Sequence, residues 1–177
     1  MSATQPSAGS FVTGLLRDWG IALAMVILAF AGYNFFFAPR APSVGDAPDF
    51  TLSTPEGVSF TLSAAPAETL VLNFWFTTCP PCRAEIPELA AWSKAHPEIP
   101  LYGVSTDVGM PPGRLQREAQ RLGVTYPVLH DAQAQVAGRY GIDVFPTTLV
   151  VSKGRIVASR IGRVDGAALD EMVEKAR

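Results

Sequence analysis

The sequence predicts an α/β domain, a mixed sheet with helices on both faces, preceded by a single transmembrane helix. Three observations carry this expectation. Apolar, β-branched and aromatic runs at 69–76, 99–106 and 125–129 alternate with helical segments, and two more strands and a closing helix follow. The run at 69–76 leads straight into Cys79-Pro80-Pro81-Cys82. Residues 20–37 hold no charged side chain, and Asn34 is their only strongly polar one.

The 177 residues allow one ordinary domain and an appendage. Lys and Arg number 14 against 16 Asp and Glu, a net charge of −2, so there is no basic footprint for nucleic acid. The chain is long enough to bury a core without disulfide staples, and its 2 cysteines are those of the motif.

In chain order, the expected organisation is a short tail at 1–18, an anchor at 19–38, a linker at 39–46 and the α/β domain at 47–177. At roughly 1.5 Å per helical residue the uncharged run matches the hydrocarbon thickness of a bilayer. Trp19 and Tyr33 stand near its ends, where amphipathic aromatics favour the interface. A signal peptide cleaved after Ala29-Phe30-Ala31 is the alternative, but the apolar run continues through Phe37. Apolarity on all faces argues against a buried helix. Arg17 and the amino terminus on one side, offset by Asp18, and Arg40 on the other give little orientational bias. A short tail, one span and a following domain most simply place that domain outside the cytoplasm. Pro, Gly and small residues mark the linker.

Residues 49–53 and 58–63 alternate apolar and polar side chains around Pro55-Glu56-Gly57, a hairpin at the domain entrance. After the motif helix and the strand at 99–106, residues 109–112 read as a loop. A polar helix spans 114–122 and stops at Gly123, and the strand at 125–129 precedes a short helix at 132–140. Strands at 147–152 and 155–161 flank Lys153-Gly154, a hairpin signal. Asp165 caps the last helix, whose Leu169, Met172, Val173 and Ala176 share a face.

The motif carries the chemistry. Proline is tolerated in a helix's first turn, where its missing N–H has no partner to lose, so Cys79 is expected at an N-cap with Pro80 and Pro81 opening the helix. Free amides, the positive end of the helix dipole and Arg83 then favour a thiolate at Cys79. Cys82, one turn on, is placed to close a disulfide and is expected to be the less accessible. A strand delivering a Cys pair to a helix start reads as a thiol–disulfide redox site. Structural zinc wants about four ligands, and His96 and His130 lack ligand spacing. A disulfide closing so small a loop would constrain the unfolded chain little. Both histidines read as surface or structural residues, and Pro87 is expected to kink the motif helix.

From residue 45 to the C-terminus the chain resembles the membrane-anchored TlpA/ResA-type proteins, which include the cytochrome c maturation thioredoxins. The resemblance rests on Ala47-Pro48-Asp49-Phe50, Asn73-Phe74-Trp75, the Cys79–Cys82 motif, Glu85, Pro87 and Val144-Phe145-Pro146-Thr147-Thr148. It implies a thioredoxin-like fold with an N-terminal β-hairpin and a central αβ insertion between Asp107 and His130. It also implies an attacking Cys79, a resolving Cys82, and Pro146 as a cis-proline facing the disulfide. Glu85 would be a partly buried acid of raised pKa exchanging a proton with Cys82, since Asn73 is neutral on the strand where thioredoxin has its buried Asp. Trp75, Thr78, Pro80, Pro81 and Phe145 would meet substrate. Thr78 departs from the family's usual Trp, which alters that surface.

The activity implied is extracytoplasmic reduction of protein disulfides, the haem-site cysteines of an apocytochrome c being one substrate class. No cofactor or metal is expected. The expected partners are a protein dithiol or disulfide and a membrane electron carrier that re-reduces the pair, at the periplasmic side of a bacterial cytoplasmic membrane. Two other functions compete. A thiol peroxidase of the peroxiredoxin kind shares the Ala-Pro-Asp-Phe opening, but wants Thr three and Pro seven residues before the cysteine, where Phe76 and Leu72 stand. A copper-delivery protein wants Cys-x-x-x-Cys and a distal His, and the spacing here is one residue short.

Overall fold

A computed structural model describes residues 8–37 and 42–176, with side chains at 17–33 and 42–176. The chain divides into two compact units, one up to Pro39 and one from Arg40 on. In the first, helix α1 (Ala8–Phe37) is 30 residues long, and its large apolar side chains from Trp19 to Tyr33 are exposed. Among the described residues no helix is long and apolar enough to cross a membrane. The span expected at 19–38 runs past residue 33, so its last five positions lie outside the described side chains.

The second unit is built on one eight-stranded sheet, in the order β1-β8-β7-β4-β5-β6-β2-β3. These strands are β1 (Gly45–Asp46), β2 (Thr51–Ser53), β3 (Ser59–Thr61), β4 (Thr69–Trp75), β5 (Leu101–Ser105), β6 (Val128–His130), β7 (Thr147–Ser152) and β8 (Arg155–Ile161). The helices are α2 (Pro80–Ala95), α3 (Pro112–Arg121), α4 (Gln135–Arg139) and α5 (Gly166–Glu174). Strand β4 lies at the centre, parallel to β5 and antiparallel to β7. It is buried on both faces, which explains its unbroken apolar run. Leu70, Leu72 and Phe74 join a core with Val136 and Ala137 of α4 and with Tyr140, which caps that helix. Val71 points the other way, into a core with Leu89 and Trp92 of α2 and Leu169, Met172 and Val173 of α5. The indole N–H of Trp92 donates to Asp170 at 2.7 Å and ties the two helices.

The mixed sheet with helices on both faces, the entrance hairpin and the inserted α3–β6 unit are present as expected. Boundaries differ where side chains capture the backbone. The hairpin's second strand stops at Thr61 because the Asp49 carboxylate accepts from the Ser63 N–H (2.9 Å) and hydroxyl (2.7 Å), turning 62–64 into a 3₁₀ turn. Helix α4 starts at Gln135 rather than 132, with the Asp131 carboxylate accepting from the Ala137 N–H at 2.9 Å. Gly45 and Asp46, expected as linker, pair with Ile156 and Arg155 and cover the β8 edge, where Arg155 donates to Asp46. Helix α2 continues through Pro87. His96 stacks on Trp92 with ring centroids 4.5 Å apart, and His130 approaches the Asp107 carbonyl, both in structural settings.

Candidate active site

The site begins where β4 ends. The chain leaves the sheet at Phe76, and Cys79 takes the extended N-cap conformation (φ −79°, ψ 111°) before Pro80 opens α2. Its sulfur accepts from the Cys82 N–H at 3.2 Å, its carbonyl accepts from the Arg83 N–H at 3.0 Å, and a disulfide joins Cys79 to Cys82 with Cα atoms 5.3 Å apart. An amide aimed at Sγ together with the helix dipole is the environment that favours a thiolate on the first sulfur. The accessibility contrast is smaller than expected: Cys79 is 2% exposed and Cys82 0%. Around the pair Thr78, Pro80, Pro81 and Arg83 are exposed. Phe145 is half-buried, edge-on to Phe76 (5.4 Å between centroids), and packs against the cluster holding both cysteines. Pro146 is buried, and the Phe145–Pro146 peptide is cis, the geometry the resemblance implies.

Trp75, expected to meet substrate, is 1% exposed and lies with Cys79, Cys82, Ile86 and Leu115 in one apolar cluster beside the disulfide. Alternation along β4 turns Asn73 and Trp75 inward beneath α2. Gly103 of β5 leaves room for the indole: an added Cβ there would stand 2.9 Å from Trp75 Nε1 and 3.0 Å from the Tyr126 ring. Gly103→Ala is expected to cost about 1–3 kcal/mol through overpacking, read as a lowered denaturation midpoint. An unchanged midpoint would mean that the indole moves freely.

Glu85 follows Cys82 by three residues and so lies on the same side of α2. It is wholly buried at 0% exposure. Asn73 Nδ2 donates to Oε1 at 2.8 Å and the Val164 N–H to Oε2 at 3.1 Å. Burial pushes its pKa up to about 7, against the opposing pull of those two hydrogen bonds and the Arg163 charge. The acid is therefore poised to change charge near neutrality. Asn73 also donates to Thr148 Oγ1 (3.1 Å), which fixes the amide's direction. The Tyr126 hydroxyl and the Trp75 indole N–H, on the same face of the sheet, are buried without a hydrogen-bond partner among the described residues. Burial, and then the negative field of Glu85, raise the Tyr126 pKa.

Asp107 was not singled out from the sequence. Its carboxylate accepts from the Thr77 N–H (3.0 Å), the Thr77 hydroxyl (2.7 Å) and the Ser105 hydroxyl (2.8 Å). It thereby anchors the loop that delivers Cys79 to the end of β5. Asp107→Asn puts an amide donor where donors already converge. The expected loss is about 1–3 kcal/mol of stability by urea denaturation, because a buried N–H goes unsatisfied; no loss would show that the loop is held elsewhere.

A model of the AhpC/TSA family matches residues 44–160. The thiol-disulfide oxidoreductase ResA of Geobacillus thermodenitrificans is 36% identical over 139 residues, 74% of this chain and 78% of that one. ResA of Bacillus subtilis is 32% identical over 142 residues, 78% of this chain and 79% of the relative. The crystal structure of a thiol:disulfide interchange protein of the thioredoxin family from Chlorobium tepidum TLS superposes with a TM-score of 0.62 at 26% identity, covering 78% of this chain and 99% of that one. With its Cys pair capping a helix above a buried acid, this chain belongs to the AhpC/TSA family and to its thiol-disulfide oxidoreductases of the ResA type.

Proposed function

We propose that the chain is a membrane-anchored, extracytoplasmic reductant of protein disulfides. The observation that carries the reading is the helix-capping Cys79–Cys82 pair with Glu85 buried three residues on. In the reduced protein the Cys79 thiolate attacks one sulfur of a substrate disulfide, forming a mixed disulfide and expelling the other sulfur as a thiolate that takes up a proton. Ionised Glu85 receives the Cys82 proton, and the Cys82 thiolate attacks Cys79 Sγ. The second substrate thiol leaves, and the substrate gains two electrons as the Cys79–Cys82 disulfide forms. A membrane electron carrier restores the dithiol. The haem-site cysteine pair of an apocytochrome c is the substrate class that the family resemblance supplies. Substrate meets Thr78, Pro80 and Pro81 at the surface and Phe145 beside them.

The uncharged run at 20–37 and the exposed apolar side chains of α1 support the anchor. Protease added to sealed spheroplasts should remove the domain while α1 stays with the membrane. A protected domain would reverse the orientation, and a mature form starting after Ala31 would replace the anchor with a cleaved signal.

The activity itself is tested by incubating the reduced protein with a protein disulfide, a hydroperoxide or a copper salt. Stoichiometric release of two substrate thiols per Cys79–Cys82 disulfide formed supports the reading. Catalytic peroxide consumption or stable copper binding without thiol release would favour one of the competing functions instead. The apolar Phe76 and Leu72 supply no hydroxyl to orient a peroxide.

A further inference from the structure

Beside the disulfide a cleft of about 490 Å³ opens between the first turn of α2 and the end of α3, lined by Pro80, Arg83, Ala84, Arg121 and Leu122. Its charge contrasts with the chain as a whole, which carries −2. Arg83 on α2 and Arg121 on α3 line the cleft, and no carboxylate does. Glu118 is held below the usual carboxylate range chiefly by its hydrogen bond from Arg121, with the positive fields of Arg121, Arg114 and Arg83 adding to it. Arg121 pairs with Glu118 at 2.7 Å while staying 61% exposed. Arg83 forms no ion pair among the described residues and is exposed one residue after Cys82. Two guanidiniums and no acid on its lining give a local surplus of positive charge at the cleft whose wall is Pro80, the residue next to the capping sulfur. A guanidinium fork suits a carboxylate, with which it forms two parallel hydrogen bonds.

We infer that this cleft docks an acidic segment of the disulfide-bearing protein partner, its carboxylates on Arg83 and Arg121 and its disulfide over Cys79. The inference rests on the redox reading above and adds the charge of the substrate to it. Docking at the cleft sets the approach of the substrate sulfur along the exposed Thr78–Pro81 edge. It also concentrates an acidic partner near Cys79 in a manner that salt screens.

The test uses the full chain and two cyclic peptides closed by the same disulfide loop, one flanked by Glu residues and the other by Lys. The reduced wild-type protein should reduce the Glu peptide about three- to tenfold faster in kcat/KM at low salt, the range expected of one or two exposed ion pairs. High salt should erase the preference. Arg121→Glu should reverse it, and Arg83→Gln should shrink it. Equal rates in the wild type, or a preference that survives Arg121→Glu, would overturn the docking while leaving the redox reading intact. Failure to reduce either peptide would instead sink the redox reading, and this inference with it.

Discussion

Cys79→Ser is expected to abolish disulfide exchange, whereas Cys82→Ser should leave the first attack intact and accumulate substrate covalently on Cys79. The asymmetry follows from the helix start. Cys79 caps α2, its sulfur accepts the Cys82 amide at 3.2 Å, and its neighbours Thr78 and Pro80 are at the surface. Cys82 is wholly buried in the cluster that holds Ile86 and Trp75, and its sulfur is bonded to that of Cys79. Without Cys82 nothing resolves the mixed disulfide, so turnover stops after one event. The rate loss is several orders of magnitude for either variant, and only one of them captures a partner. Non-reducing electrophoresis followed by mass spectrometry reads both results. Capture by Cys79→Ser and not by Cys82→Ser would exchange the two roles.

Glu85→Gln separates the acid's proton from its shape. The folded-state pKa lies near 7, above the ordinary 4.5, so the folded protein binds the extra proton between those values. Stability from this group is therefore fully present below about pH 4.5 and is lost as pH rises through about 7. Over that window the loss amounts to about 3 kcal/mol, at 1.36 kcal/mol per pH unit. Gln stays neutral throughout, so the variant should lack this decline and should be the more stable protein at pH 8. Its gain is trimmed by about 1 kcal/mol, because one amide oxygen cannot accept as well as a carboxylate from both Asn73 and Val164. Exchange should behave oppositely. With no carboxylate to take the Cys82 proton, resolution slows by about 10²–10⁴-fold and loses its inflection near neutrality. Urea denaturation from pH 4 to 9 and stopped-flow resolution of a preformed mixed disulfide measure the two effects. Parallel stability curves for wild type and variant would show that Glu85 stays ionised in the fold.

Legibility in the sequence tracked the range of the interaction. Strands β4, β7 and β8 and the caps at Cys79 and Asp165 depend on neighbours a few residues away, and these elements appeared where periodicity and capping chemistry put them. Asp107 and Thr77 are 30 residues apart, and neither residue by itself announces the other. The Val164 N–H reaches Glu85 across 79 residues, so the second partner of the buried acid was equally silent. The direction of Trp75 is silent for a different reason. A run apolar on both faces carries no alternation, and only the sheet shows that Trp75 points under α2 with Asn73. The burial of Glu85 was not visible in its helix pattern, where a carboxylate near a helix N-terminus is ordinarily a solvated charge; the family resemblance supplied that expectation. Arg121 lay in a polar helix that reads as a solvated face until α2 is brought alongside it.

The proposed exchange requires that Cys79 be the sulfur that ionises and attacks. Rates of alkylation of the two thiols in the reduced protein, resolved by peptide mass spectrometry from pH 5 to 10, test it most directly. Cys79 should react first at every pH, with a midpoint below the roughly 8.5 of a free thiol, while Cys82 stays unmodified until the fold opens. Faster labelling of Cys82, or a Cys79 midpoint at or above that of a free thiol, would contradict the assignment.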